Sequence, residues 1–134
     1  MTDLTEYKKF LQSKVQRVSE AGFDVEYSEL NKNLFDFQRY IVKKALNMGK
    51  YAIFADCGLG KTLMQLEWAR HVSEYTEKPV LILCPLAVSG QTINEGEKFG
   101  IDVRKYDPDN VQGICITNYD QLSNVDTSVF SGVV

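Results

Sequence analysis

A glycine-rich segment that ends in Lys-Thr is the part of this sequence most capable of chemistry. The segment ADCGLGKT covers residues 55–62, between an uncharged run at 51–55 and a helical pattern that begins at 61. A strand, a glycine-rich loop and a helix in this order are the context of a phosphate-binding loop. Gly58 and Gly60 let backbone N–H groups approach phosphate oxygens closely, and the dipole at the helix N-terminus favours the same anion. The pattern therefore predicts nucleotide binding.

The two residues that end the segment have distinct expected roles. The Lys61 ammonium would contact the β- and γ-phosphates of ATP and the Thr62 hydroxyl would coordinate Mg²⁺, so both are expected to be catalytic. Ala55 departs from the strict pattern, because a glycine is usual at that position. The alternative is a glycine-rich turn before a helix that only happens to begin with Lys-Thr. The predicted nucleotide contacts in the segment are Asp56, Cys57, Gly58, Leu59, Gly60, Lys61 and Thr62.

Composition is that of an ordinary globular protein. Of the 134 residues, 44% are hydrophobic and 25% are charged, and the formal net charge is −3. That charge argues against a nucleic-acid footprint over the whole surface, although a local basic face remains compatible with it. No apolar run approaches the ~20 residues that span a bilayer, so we expect a cytoplasmic protein without a membrane partner. The three cysteines are odd in number and never in CxxC spacing, which indicates neither a disulfide framework nor a zinc site.

Amphipathic runs and uncharged runs alternate along the chain. Periodicity predicts helices over 4–21, 34–48, 61–75 and 87–99, and uncharged runs predict strands over 51–55, 80–84, 113–117 and 130–134. This alternation indicates the α/β class, with a parallel sheet flanked by helices. Gly22 is expected to end the first helix. In the third helix, Trp68 is expected to pack against the sheet and His71 to lie at the surface.

Four ordered segments together resemble one protein family. ADCGLGKT resembles helicase motif I, FDFQRYIV the adenine-recognising Q-motif, LILCPLAVSGQT motif Ia, and ICITNYDQL the segment around motif Ib. The chain thus resembles the first half of the N-terminal RecA-like domain of superfamily-two helicases, especially the Swi/Snf-like branch of phage and prophage genomes. The resemblance covers residues 34–134 and leaves 1–33 as an N-terminal helical extension. It implies a P-loop NTPase of RecA-like fold, incomplete at its C-terminus, in a bacterium or a phage-infected host.

The resemblance also implies a function. It indicates the ATP-binding portion of a helicase or translocase in which ATP hydrolysis drives movement along double-stranded DNA. The acidic Asp-Glu pair would follow the strand at 130–134, so the chain is expected to be inactive alone. It is also expected to be marginally stable, because the strand at 51–55 would keep an unpaired edge. Two alternatives stay open: a stand-alone nucleotide-binding module without turnover, and a small P-loop enzyme such as a kinase, with Asp120 as its acid.

Gln38, in the segment that resembles the Q-motif, is expected to recognise adenine. A side-chain amide offers a donor and an acceptor together, which match N7 and the amino group on one edge of adenine. The alternative is a solvated helix residue between Phe37 and Arg39. Phe35 and Arg39 are candidates to pack on the adenine or the ribose.

The segments after the strands at 80–84 and 113–117 are candidates for nucleic-acid contacts. Ligands meet parallel sheets at the carboxyl ends of the strands. The resemblance implies contacts there between hydroxyl or main-chain N–H groups and the nucleic-acid backbone, which give little sequence specificity. The alternative is ordinary turn and N-cap chemistry. The candidate residues are Ser89, Gln91, Thr92, Thr117 and Asn118.

Overall fold

The computed structural model of the protein describes residues 2–14 and 20–134, and its centre is a parallel sheet. The four strands are β1 (Val80–Cys84), β2 (Val103–Lys105), β3 (Ile114–Asn118) and β4 (Gly132–Val133), arranged in the order β2-β3-β1-β4. β1 and β3 pair from Val80 opposite Ile114 to Cys84 opposite Asn118. β4 pairs with β1 over two residues and forms one edge. The parallel sheet and its helices confirm the predicted α/β class.

Helices cover one face of this sheet. The α-helices of the described residues are α1 (Thr2–Lys14), α2 (Asp36–Met48), α3 (Lys61–Thr76) and α4 (Leu86–Lys98), of which α2, α3 and α4 pack on the sheet. Leu46 of α2 and Leu66 of α3 are buried in one core with Ile82 of β1. α4 packs on the same core through Ile93. None of the helices in the described ranges has the length and apolar character that a membrane crossing requires.

Irregular chain covers the opposite face of the sheet. Leu81 and Cys115 point to this face, where Val125 and Phe130 pack over them. Two 3₁₀ turns, Tyr119–Asn124 and Thr127–Val129, shape the covering segment. Strands that are buried on both faces consist of uncharged residues, which explains why β1 and β3 were recognisable in the sequence.

The orientation of α3 determines which edge of the sheet its N-terminus approaches. Its last residue, Thr76, donates its hydroxyl to the Ser131 Oγ at 2.8 Å, just before β4 begins. The C-terminus of α3 therefore lies at the amino ends of the strands. Its N-terminus, Lys61, points toward the carboxyl ends, which is the edge where parallel sheets bind ligands.

Two glycines allow elements to approach closely. A Cβ at Gly132 would lie 3.0 Å from the indole of Trp68, which packs against β4 and confirms the prediction for this tryptophan. A Cβ at Gly22 would overlap with the main-chain oxygen of Leu46. The Gly22 N–H also donates to the Asn47 carbonyl at 3.0 Å, so this glycine docks its segment on the end of α2.

The first predicted helix does not extend to residue 21. The described part of this helix is α1 (Thr2–Lys14), residues 20 and 21 are not helical, and residues 15–19 of the predicted helix lie outside the described residues. The side chains of Leu4 and Tyr7 are 67% and 60% exposed. An amphipathic pattern alone stabilises a helix only marginally, and within the described residues α1 contributes no side chain to the core clusters.

The segment that precedes α2 belongs to the same packed unit as the rest of the fold. Val25 and Leu30 are buried in the main core together with Leu34. Residues 1–33 were expected to form an N-terminal extension, and this segment thus supplies core residues to residues 34–134, the part expected to bind nucleotide.

The predicted strand at 51–55 is wrong, because the structure places these residues in no strand. Phe54 is 96% exposed. Ile53 of this run and Val133 of the edge strand β4 line the same cavity, and the two segments do not pair. Without an adjacent strand, its N–H and C=O groups have no ladder to join. β2, in contrast, was not predicted, because Val103 is the one buried residue of its three.

Candidate nucleotide-binding site

The glycine-rich segment forms an exposed turn directly before α3. The Leu59 N–H donates to the Asp56 carbonyl at 3.4 Å, and the Met64 N–H donates to the Gly60 carbonyl at 3.2 Å as the helix begins. Gly58 and Gly60 have φ angles of +81° and +74°, in the left-handed region that favours glycine. The backbone of the turn therefore requires both glycines.

The N-terminus of α3 is open to an anion. Gly60 is its N-cap residue, so none of the described side chains caps the first N–H groups, and the first turn contains no acidic residue. The N–H groups of a first helical turn lack intrahelical partners, and together with the helix dipole they favour a bound phosphate. Lys61 is exposed and Thr62 is half-buried at the first two helical positions. A phosphate here would meet main-chain donors, an ammonium and a hydroxyl.

Gln38 connects α2 to this turn. Its side chain is 4% exposed, its Oε1 accepts the Phe35 N–H at 2.8 Å, and its Nε2 donates to the Leu59 carbonyl at 2.8 Å. The bond from the Phe35 N–H is half of a capping box at the N-terminus of α2. The bond to the Leu59 carbonyl fixes the position of the glycine-rich turn. A Cβ at Gly60 would overlap with the Gln38 Nε2. The interpretation of Gln38 as a solvated residue is therefore wrong.

The surroundings of Gln38 offer surfaces for a base. A side-chain amide has two N–H donors and two acceptor lone pairs, and the two bonds of Gln38 use one donor and one lone pair. Adenine recognition by the second donor and the second lone pair stays a prediction. Phe35 and Phe37 expose their rings, with centroids 6.3 Å apart and planes 14° from parallel. Arg39 lies 3.9 Å from the Asp36 carboxylate, and its buried Nε has no hydrogen-bond partner in the described part of the chain.

The site has one candidate ligand for a magnesium ion. Thr62 would supply a hydroxyl, and Mg²⁺ commonly takes most of its other ligands from phosphate oxygens and water. Across residues 2–14 and 20–134, no three His, Cys, Asp or Glu side chains form a group that could hold a metal ion. Asp56 is exposed in the turn, and Asp120 is exposed in the 3₁₀ turn after β3. The residues present thus fit a phosphate that brings its own metal ion.

The candidate nucleic-acid residues lie toward the same edge of the sheet as the turn. β1 and β3 end side by side, with Cys84 opposite Asn118, and α4 begins directly after β1. Gln91 is exposed on α4, while Ser89 and Thr117 are half-buried. The Ser89 hydroxyl donates to the Leu86 carbonyl at 2.9 Å, within its own helix.

Two further candidates form hydrogen bonds inside the protein, as Ser89 does. Thr92 is buried, and its hydroxyl donates to the Val88 carbonyl at 3.1 Å. The Asn118 Oδ1 accepts the Gln121 N–H at 3.1 Å, which is the N-cap role that the alternative interpretation assigned to it. The exposed amide of Gln91 is consequently the strongest of the five candidates.

A buried ionic cluster on α3 was not predicted. Glu67 is fully buried, and its carboxylate lies 2.7 Å from the Arg70 Nε, 3.1 Å from the His71 Nε2 and 2.9 Å from the Asn31 N–H. Burial opposes its ionisation, but the bonds from His71 and Arg70 outweigh burial and hold the pKa of Glu67 below its ordinary value. The prediction that His71 lies at the surface is wrong. The i, i+3 and i+4 spacing of these residues was the available signal.

Comparisons with known proteins assign the chain to no family. It matches none of the protein-family models, and no curated protein is significantly similar to it. The fold and the site therefore define its class by themselves: an α/β protein with a parallel sheet and a glycine-rich turn at the N-terminus of α3. The helicase resemblance stays an interpretation of the sequence motifs.

Proposed function

We propose that the chain binds ATP through residues 56–62 and that it is the ATP-binding portion of an ATP-dependent DNA helicase or translocase. One observation carries the first part. The uncapped N-terminus of α3 follows two left-handed glycines and begins with Lys61 and Thr62. This arrangement supports phosphate binding because donors and positive charge converge on one exposed position.

Each part of the site would contact a different part of the nucleotide. The first-turn N–H groups would bind phosphate oxygens, the Lys61 ammonium would balance their charge, and the Thr62 hydroxyl would contact a magnesium ion carried by the phosphates. The base would lie toward the N-terminus of α2, because Gln38 reaches the turn from there. The exposed rings of Phe35 and Phe37 are suited to stack on it.

We propose binding without appreciable turnover by this chain alone. Motors of the resembled family use an Asp-Glu pair to hold the metal ion and to orient water. Asp56 and Asp120 are the carboxylates closest in sequence to the turn and to the end of β3, and neither has a neighbouring Glu. The proposal that the motor moves on double-stranded DNA is supported by the Swi/Snf-like motifs and by the shared position of the turn and Gln91 at the carboxyl edge of the sheet.

ATP binding to the purified chain tests the proposal. Calorimetric titrations would compare the wild type with Lys61→Ala and with the matched control Lys78→Ala, an exposed lysine just before β1. A hydrogen bond between charged groups contributes about 1.5–3 kcal/mol, so we expect Lys61→Ala to weaken ATP binding about ten- to a hundredfold. Lys78→Ala should bind like the wild type.

Turnover, measured as phosphate release with and without duplex DNA, separates the candidate functions. Binding of ATP that depends on Lys61 and occurs without turnover supports the proposal that the chain is the ATP-binding portion of a larger motor. A change in the Kd for ATP when duplex DNA is added supports the proposal that this motor acts on DNA. Binding with no influence of DNA would favour the stand-alone module instead. A folded protein that binds no ATP, or a Lys61→Ala variant that binds it equally well, would refute the proposal.

A further inference from the structure

The side-chain amide of Gln38 faces the main chain on both of its polar sides. Its Oε1 accepts the Phe35 N–H and its Nε2 donates to the Leu59 carbonyl, each at 2.8 Å. The backbone at Gly60 lies directly against Nε2, because a Cβ at Gly60 would overlap with that atom. Gln38 is only 4% exposed, so its amide is enclosed between the start of α2 and the glycine-rich turn.

This enclosure limits how the site can recognise a base. Discrimination between bases by hydrogen bonds requires a donor and an acceptor that the edge of the base can reach. The donor and the lone pair that Gln38 retains belong to a side chain with almost no exposed surface, so they offer a base little to bind. Both bonds that Gln38 does form determine the position of the turn, where the phosphates of a nucleotide would lie.

The charged side chains next to Gln38 are poorly suited to read a base. Arg39 donates from its Nη2 to the Lys32 carbonyl at 3.3 Å, and its Nη1 lies 3.9 Å from the Asp36 carboxylate. The Asp36 carboxylate is fully exposed and can only accept hydrogen bonds. A bond from an exocyclic amino group to this carboxylate would replace a bond to water, so its net contribution to discrimination would be small.

Two exposed aromatic rings lie at the start of α2, from where Gln38 reaches the turn. Phe35 is 69% exposed and Phe37 is 46% exposed, and their ring planes are 14° from parallel with centroids 6.3 Å apart. Every base has a π face, so stacking on aromatic rings binds purines and pyrimidines alike. A phenylalanine ring has no hydrogen-bonding group that distinguishes one base from another. The surface open to a base therefore binds its face and does not read its edge.

We propose that the site binds nucleoside triphosphates of all four bases with similar affinity, with the phosphates at the glycine-rich turn and the base stacked on Phe35 and Phe37. This inference rests on the proposed function, because it requires a phosphate at residues 56–62. It assigns Gln38 to the positioning of the turn and widens the substrate class from ATP to nucleoside triphosphates in general. Adenine recognition by Gln38 predicts the opposite result for GTP, CTP and UTP.

Calorimetric titrations of the purified chain with Mg²⁺ and each of ATP, GTP, CTP, UTP and inorganic triphosphate test this inference. We expect the four nucleotides to have Kd values within about tenfold of one another, because stacking strength differs only modestly among the bases. UTP also tests the Asp36 carboxylate, since uracil has no exocyclic amino group. Kd values that differ by more than this factor would overturn the inference, while ATP binding and the proposed function would stand. A folded chain that binds no nucleotide would refute both.

Phe35→Ala separates stacking of the base from binding of the phosphates. It keeps the main-chain N–H that Gln38 binds, and it should weaken all four nucleotides by a common factor of about fivefold to a hundredfold. Inorganic triphosphate, which has no base, should bind as it does to the wild type. The matched control is Tyr40→Ala, which removes a ring of similar exposure from the side of α2 opposite Gln38 and should change no Kd. Weaker binding of ATP alone, of triphosphate as well, or of no ligand in Phe35→Ala would each contradict stacking on this ring.

Discussion

The side-chain amide of Gln38 donates a hydrogen bond to the main-chain carbonyl of Leu59 at 2.8 Å, across 21 positions of sequence. The same side chain accepts the Phe35 N–H at the start of α2. Both partners are main-chain groups, so these bonds determine where the backbone of the turn lies relative to α2. The position of the candidate phosphate site therefore depends on one buried side chain.

Gln38→Ala should weaken the binding of every polyphosphate. The variant leaves the Phe35 N–H and the Leu59 carbonyl without their partner, which we expect to lower the free energy of unfolding by about 1–3 kcal/mol. Because ATP and inorganic triphosphate would both use the turn, both should lose affinity by a similar factor. Urea unfolding and calorimetric titration with the two ligands measure these effects.

Gln38→Glu is the matched variant for this experiment. It keeps an acceptor for the Phe35 N–H but replaces the donor to the Leu59 carbonyl with a second oxygen, so it should lose the bond to the turn alone. A variant that loses ATP affinity while it keeps triphosphate affinity would contradict the positioning role and would assign Gln38 to the adenine.

Gly58→Ala and Gly60→Ala should lower the free energy of unfolding by different amounts, although both glycines have positive φ. An L-residue in the left-handed region costs about 1–2 kcal/mol, which we expect for Gly58→Ala because a Cβ there meets nothing within 4 Å. A Cβ at Gly60 would additionally displace the Gln38 amide from Leu59. Gly60→Ala should therefore be the more destabilising variant in urea unfolding.

A double-mutant cycle separates the two contributions at Gly60. Once Gln38→Ala has removed the amide, Gly60→Ala should lower the free energy of unfolding by no more than Gly58→Ala does. Only the strain of an alanine at positive φ then remains. Equal costs of Gly60→Ala in both backgrounds would show that the Gln38 contact contributes nothing to the turn.

Glu67 should make stability depend on pH. Its pKa is lowered in the folded protein, so the stabilisation is present above the ordinary value of 4.5 and is lost as the pH falls through the folded-state pKa. Glu67→Gln should therefore be clearly less stable than the wild type at pH 7, and the difference should shrink below about pH 4.5. Thermal unfolding between pH 3 and 7 measures this convergence.

Glu74→Gln serves as the control for this pH series. Glu74 also pairs with Arg70, at 3.2 Å, but its side chain is 63% exposed, and exposed ion pairs contribute only about 0–1 kcal/mol. If Glu67→Gln and Glu74→Gln had similar pH profiles, the buried position of Glu67 would not be the cause of the pH dependence.

The central strands could be predicted from the sequence because burial on both faces imposes uncharged residues. The same composition at 51–55 led to a wrong strand, since a strand also requires a neighbour and this run pairs with none of the four strands. β2 was missed for the opposite reason: Arg104 and Lys105 are exposed residues that pair with β3 through their main chain. An uncharged composition indicates that a segment is buried, whereas the formation of a strand depends on a neighbouring backbone with which it can pair.

The candidate site was predictable to a similar extent. The turn and the start of α3 follow from local sequence, because glycines at positive φ and an uncapped helix N-terminus are properties of adjacent residues. The bonds of Gln38 to Leu59 and of Glu67 to Asn31 join residues that are far apart in the chain, so they depend on how α2 and α3 pack. No periodicity within one element contains that information.

Gln91→Ala should weaken binding to duplex DNA, whereas Thr92→Val should leave it unchanged. Gln91 is exposed at the carboxyl edge of the sheet, while the Thr92 hydroxyl is buried and donates to the Val88 carbonyl of its own helix. Fluorescence anisotropy with a labelled duplex, at one fixed salt concentration, compares the two neighbours directly. A single lost hydrogen bond to phosphate predicts about a threefold to tenfold weaker Kd for Gln91→Ala. The same loss for Thr92→Val, or none for either variant, would contradict this edge as the DNA contact, because burial rather than position in sequence distinguishes the two side chains.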